Sequence, residues 1–160
     1  MSIVVCRMTE NGYEMAADSI AVRGYTQGRT TKLVEANGMV IGSSGTLEET
    51  VLFKLFASTR RPSTEDEAGI LEFMSEFYDW KKKKTDSGRI ENAYLLGFAG
   101  KVFMLQEWLA NEVKEYDAIG AGMDYALAAL YLGHSAEEAV NTAIHLSVYC
   151  EPPIVVIKRP

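Results

Sequence analysis

Two short, nearly continuous apolar runs open the chain, Ser2 to Cys6 and Tyr13 to Ala17, with Glu10-Asn11-Gly12 between them. Asn-Gly between apolar runs predicts a hairpin, because a tight primed turn needs positive φ at its central residues. Ile3 and Val5 point to one face of the first strand and Val4 and Cys6 to the other. Both faces are apolar, so the sheet is expected to be covered on both sides. The stretch Gly24-Tyr25-Thr26-Gln27-Gly28 reads as a turn-rich loop, Thr31 to Glu35 as a strand carrying Lys32, and Met39 to Ser43 as the next strand.

The periodicity then changes. Thr46 with Glu49 three residues on predicts a capping box. The helix after it places Leu47, Val51, Leu52, Leu55 and Phe56 on one stripe. Arg61-Pro62-Ser63 ends it, and Thr64 with Glu67 predicts the cap of a longer helix with Ile70, Leu71, Met74, Phe77 and Tyr78 on its apolar face. Asn92 to Ala99 and Lys101 to Glu107 predict a second hairpin turning at Gly100, and Glu115 to Ile119 a further strand. A helix from Met123 to Leu132 follows, with Ala126, Leu127, Leu130 and Tyr131 on its face. Ser135 and Glu138 cap another that presents Ala139, Val140, Ala143, Ile144 and Ser147. Pro152-Pro153 stops it, and Ile154 to Ile157 closes the chain as a strand. Strands, two helices, strands, two helices and a strand suit an α+β architecture. It is a four-layer αββα sandwich, two antiparallel sheets face to face with a helix pair outside each.

Composition narrows the picture. A chain of 160 residues, 48% hydrophobic and 24% charged, is expected to form one domain over residues 1–160. A net charge of -6 argues against nucleic acid as a partner. No apolar run approaches the roughly 18 residues of a membrane span, and no signal peptide is evident. The two cysteines, Cys6 and Cys150, sit in apolar runs and read as free thiols, which fits a cytoplasmic location. His134 and His145 have no metal partner at ligand spacing, so no metal or cofactor is expected. Lys81 to Lys84 read as solvated charges at a helix end, and Trp80 and Trp108 as core or subunit-contact residues. Ser2 is a hydroxyl beside a freed chain amine, with Asp18 delivered nearby by the second strand. Such a residue can supply nucleophile and base together.

These residues resemble proteasome β subunits and their bacterial relatives of the HslV kind, N-terminal nucleophile hydrolases with an αββα sandwich. With Ser2 as the starting residue, Gly12, Ala16, Asp18, Ser19 and Gly24 match the family's opening without a gap. Lys32 matches the lysine on the next strand, after a loop about two residues shorter than usual. Ile41-Gly42-Ser43-Ser44-Gly45 and Glu49 resemble the glycine-rich turn and acid before the first helix. Ala118-Ile119-Gly120-Ala121-Gly122 with Tyr125-Ala126 resembles the turn opening the third helix, and Ser135 to Val140 the start of the fourth.

The resemblance implies a peptidase. Ser2, after removal of Met1, would attack the scissile carbonyl with its own α-amine as base. Lys32 would place positive charge beside it, Asp18 would hold Lys32, and the N–H of Gly45 would receive the oxyanion. It also implies a homo-oligomeric ring enclosing the nucleophiles, unfolded polypeptide or peptide as substrate, and often an ATP-driven unfoldase as partner. Three features depart from the family. Ala121 stands for the serine between the two glycines, the Asp-x-x-Ser element has no match around Tyr149-Cys150-Glu151-Pro152, and the free amine depends on an aminopeptidase removing Met1. Two alternatives follow: a non-catalytic ring or scaffold subunit of the same fold, and an amidohydrolase of the wider class acting on a small amide.

Overall fold

A computed structural model describes residues 1–160. Strands β1 (Val4–Thr9) and β2 (Gly12–Ala17) form the opening hairpin. They pair from Val4↔Ala17 to Thr9↔Gly12. The turn differs from the one the Asn-Gly pair predicts. Neither Glu10 nor Asn11 has positive φ, and Gly12, at φ +148°, is already in the ladder. Its glycine is needed for another reason. A Cβ there would lie 2.0 Å from the carbonyl oxygen of Arg159, in the last strand.

β3 (Ile20–Arg23) and β4 (Thr26–Arg29) make a separate two-stranded ribbon. The sequence predicts a turn-rich loop here, because β4 is exposed throughout and shows no apolar alternation. β5 (Leu33–Ala36) begins one residue after Lys32. The ladder nevertheless reaches back to Lys32, whose carbonyl accepts from Ser43 N at 3.1 Å. β5 and β6 (Met39–Ser44) join β7 (Ala93–Phe98), β8 (Lys101–Gln106) and β9 (Leu109–Glu112) in an antiparallel sheet of that order. β9 has no counterpart among the expected strands. The β7–β8 turn has positive φ at Ala99 and Gly100, as a primed turn requires. The other sheet runs β10-β1-β2-β11, with β10 (Tyr116–Ile119) and β11 (Val155–Arg159) flanking the first hairpin.

Helices α1 (Leu47–Ala57) and α2 (Glu67–Thr85) cover the larger sheet over an aromatic core of Phe53, Phe56, Phe73, Phe77 and Tyr94. Helices α3 (Met123–Tyr131) and α4 (Ala136–Leu146) cover the smaller one over Ile3, Val5, Ala16 and a run of alanines. Val4, Cys6, Met15, Val40, Leu95 and Val102 fill the space between the sheets. The order of layers is αββα. Charged side chains on the small sheet hold its helices. Glu14 accepts from Ala136 N at the start of α4, and Arg7 donates to the carbonyls of Leu130 in the last turn of α3 and of His134 beyond it. No helix is long and apolar enough to cross a membrane.

Several local expectations are corrected. The buried face of α1 is Glu49, Phe53, Phe56 and Ala57, whereas Leu47, Val51 and Leu55 are about half exposed or more. Of the predicted stripe, Phe56 is buried and Leu52 packs against the core, so apolar residues lie on both sides of α1 and periodicity alone does not single out its buried face. Asp66, not Thr64, caps α2, accepting from Gly69 N at 2.9 Å while Thr64 bonds the Asp66 carboxylate. Tyr131 is exposed. Lys81 is not a solvated charge but a buried one, paired with Glu49 at 3.1 Å, while Lys82 to Lys84 are exposed. The full capping box forms only at Ser135 and Glu138. At α1, Thr46 accepts from Glu49 N, but the Glu49 side chain is engaged elsewhere.

Candidate active site

Ser2 precedes β1 by two residues and is 4% exposed. Its carbonyl accepts from Gly122 N at 3.2 Å. Gly120, at φ +106°, lies so close that a Cβ there would meet the Ser2 carbonyl oxygen at 2.3 Å. The glycines of the Gly120-Ala121-Gly122 turn therefore let the start of α3 close over the first residues of the chain.

Asp18, at the end of β2, is fully buried and saturated with donors. Oδ1 accepts from Ile3 N at 3.0 Å and from Lys32 Nζ at 2.6 Å. Oδ2 accepts from Ile20 N at 3.3 Å and from Glu151 N at 3.0 Å. One carboxylate thus ties the residue after Ser2 to Lys32 and to the segment beyond α4. Four donors on one carboxylate satisfy the charge that burial would otherwise penalise. Burial pulls Lys32 below the usual lysine value, against the opposing hydrogen bond and charge of Asp18.

Ser2 and Lys32 line one cleft of about 470 Å³. Met1, Ile20, Arg23, Ser43, Gly45 and Thr50 also line it. Its charged side chains are Lys32 and Arg23, and no carboxylate lines it. Gly45 is exposed at the mouth of α1, with φ +140°, a conformation that side-chain-bearing residues avoid. The structure therefore brings Ser2, Asp18, Lys32 and Gly45 to one place. Ser19 is engaged far along the chain, its hydroxyl donating to the Pro153 carbonyl at 2.6 Å. Ser147 and Cys150, both buried, follow α4. Burial, then the charge of Asp18, pushes the Cys150 thiol up, and burial does the same to Cys6. Both are free thiols.

Among solved structures, BPH from Thiobacillus denitrificans is similar over 97% of this chain and 96% of its own, with a TM-score of 0.84 at 17% identity. Its complex with epoxomicin gives a TM-score of 0.83. Anbu, described as an ancestral β-subunit, from Yersinia bercovieri is similar over 97% of this chain and 80% of its own, with a TM-score of 0.72 at 16% identity. This chain has the proteasome-like N-terminal nucleophile fold. No protein-family model and no curated protein sequence matches it. Identities this low carry the architecture of the N-terminal nucleophile fold and not its chemistry.

Other side chains singled out in the sequence have local roles. His134 Nδ1 meets Glu138 at 3.2 Å and His145 Nδ1 meets the Asn141 carbonyl at 2.9 Å, both within helical spacing. Trp80 packs on Phe56 and Phe77, whereas Trp108 is more than half exposed beside Tyr78. Sequence reasoning missed Asn92 altogether. It brackets Thr46, the residue after Gly45, with both ends of its amide. A lone asparagine before a strand gives no sequence signal for such a role.

Proposed function

We propose that this chain is a proteasome-like peptidase subunit that hydrolyses peptide bonds within a homo-oligomeric ring. The observation that carries the reading is the buried Asp18 carboxylate, which holds Lys32 on one oxygen together with the amide of Ile3, beside Ser2. With Met1 attached, the Ser2 nitrogen is a peptide nitrogen and no base. Once Met1 is removed, it is an amine titrating near neutral pH.

In the proposed reaction, the Ser2 hydroxyl attacks the substrate carbonyl while its α-amine takes the hydroxyl proton. Lys32 stays protonated and favours both the ionised oxygen and the neutral amine. The negative charge that develops on the carbonyl oxygen is met by the N–H of Gly45. Collapse of this intermediate breaks the C–N bond, and the leaving nitrogen receives the proton held by the α-amine. Water, deprotonated by the same amine, then attacks the acyl carbon; the C–O bond to Ser2 breaks and the Ser2 oxygen takes back the proton from the amine. The exposed apolar residues Leu47, Val51 and Leu55 on α1, and Leu132, Leu146 and Val148 around α3 and α4, support burial of those faces against other copies. An HslV-like grouping, a cytoplasmic setting and an ATP-driven unfoldase feeding the ring belong to the same reading.

The test combines intact mass with fluorogenic peptide hydrolysis. Loss of Met1 and hydrolysis that Ser2→Ala abolishes and Ser2→Thr retains support the assignment. Equal rates for the wild type and Ser2→Ala reject it. The second reading is a non-catalytic subunit, favoured by Ala121 and by the unmatched Asp-x-x-Ser element around Tyr149-Cys150-Glu151-Pro152. It is supported if chains lacking Met1 assemble yet hydrolyse no peptide.

A further inference from the structure

We propose that Asn92 is a positioning residue that fixes the Gly45–Thr46 peptide and, through it, the conformation of Gly45, whose own N–H receives the oxyanion. The inference rests on the peptidase reading of Ser2 and Gly45. Asn92 is 1% exposed and lies just before β7. Its Oδ1 accepts from Thr46 N at 2.7 Å and its Nδ2 donates to the Thr46 carbonyl at 2.8 Å. Nδ2 also donates to Thr50 Oγ1 at 3.2 Å. A planar amide that bonds a backbone N–H and C=O together fixes the turn at two points. The Thr46 nitrogen belongs to the same peptide unit as the Gly45 carbonyl, so holding it restricts rotation of Gly45 itself. The contact is also steric, since a Cβ on Gly45 would lie 2.1 Å from Asn92 Oδ1.

Asn92 is in turn held from behind. Glu49 accepts from Asn92 N at 3.0 Å, Glu91 N at 2.9 Å, Tyr94 Oη at 2.9 Å and Lys81 Nζ at 3.1 Å. Lys81 also donates to the Arg89 carbonyl at 2.5 Å. Burial beside Glu49 pushes Tyr94 well above the usual phenol range, so it remains a donor. Neither Asn92 nor Glu49 lines the cleft, although Gly45, Thr46 and Thr50 do. Asn92 therefore acts on the site only through the turn that carries Gly45. A network of this kind, buried and fully satisfied, holds one geometry rather than several.

A structural role alone would lower stability and leave the kinetics of the folded fraction unchanged. A positioning role lowers kcat in the folded protein and leaves KM nearly as it was. Asn92→Ala is expected to lose about tenfold to a hundredfold in kcat, short of the effect of deleting an oxyanion donor. Asn92→Asp gives the sharper readout. Its neutral acid reproduces both bonds to Thr46, accepting on one oxygen and donating on the other. Its ionised form cannot donate and faces the Thr46 carbonyl. The titratable groups around position 92 are Glu49 on α1, Lys81 on α2, Tyr94 on β7 and the adjacent Glu91, all unchanged in this variant.

The experiment measures kcat, KM and thermal stability against pH, with a fluorogenic peptide, for the chain lacking Met1 and for the two variants. A fall in kcat with rising pH that Asn92→Asp shows at pH values below the alkaline limb of the wild type, and below the melting temperature at every pH, supports the proposal. Kinetics for both folded variants equal to wild type overturn it, as does a loss that merely follows unfolding. A wild type without Met1 that hydrolyses no peptide defeats the peptidase reading and this proposal together.

Discussion

Lys32 Nζ lies 2.6 Å from Asp18 Oδ1, and neither side chain is more than 5% exposed. Lys32→Met is expected to leave Asp18 with three backbone donors, and Asp18→Asn to leave Lys32 as a buried cation with no acid. Breaking a buried pair costs about 3–5 kcal/mol. The asparagine variant is expected at or above the top of that range, because its amide group also faces N–H donors. Urea unfolding of both variants checks the order; a more stable Asp18→Asn contradicts it.

The direction of the Lys32 shift sets a pH dependence. Its folded value lies below the ordinary 10.5, with burial the larger cause. Between those two values the unfolded chain binds more protons, so this group makes stability rise with pH there. Activity runs the other way, because rising pH removes the charge that favours the ionised Ser2 oxygen. The alkaline limb of kcat/KM is expected below 10.5, and Lys32→Arg is expected to move it upward. An alkaline limb unchanged in that variant excludes Lys32 as its source.

Gly45→Ala is expected to disturb the site more than the fold. The new methyl would sit against Asn92 Oδ1 and the backbone would hold φ +140°. Strain of this kind costs about 1–3 kcal/mol, enough to shift the turn. Peptide hydrolysis is expected to fall by about a hundredfold or more while circular dichroism keeps its native form. Wild-type turnover would remove Gly45 from the oxyanion role.

The four-lysine run is expected to behave unequally. Lys81→Met strips the buried Glu49 carboxylate of its cation and is expected to cost about 3 kcal/mol or more. Lys82→Ser and Lys83→Ser, on the exposed side, are expected within about 0.5 kcal/mol of wild type. Thermal melts of the three variants suffice, and equal melting temperatures would contradict the burial of Lys81.

The sequence carried the architecture where apolar runs were long or doubly buried. β1 and β2, α4 with its reciprocal cap and the β7–β8 hairpin all follow local chemistry. It failed where local and tertiary demands diverge. In α1 the more regular apolar stripe faces outward, because Glu49 turns inward to gather donors from Glu91, Asn92, Tyr94 and Lys81. Lys81 continues the buried stripe of α2, four residues after Phe77 and seven after Met74, a periodic signal masked by its place in a run of four lysines. The exposed β3–β4 ribbon has no apolar face to reveal it. Asp18 and Lys32 stand 14 positions apart, beyond any local pattern; the opening hairpin points to Asp18, but Lys32 is legible only through motif order.

The fourth hydrogen bond to Asp18 comes from Glu151, while Ser19 N donates to the Glu151 carbonyl at 2.9 Å and β11 pairs along β2. These partners are translated more than a hundred residues after Asp18. A nascent chain still lacking them has an open edge on β2 and an incompletely bound carboxylate. Closing that edge and completing the shell around that carboxylate are therefore among the last events of folding, and the residues around Asp18 must wait for the C-terminal segment.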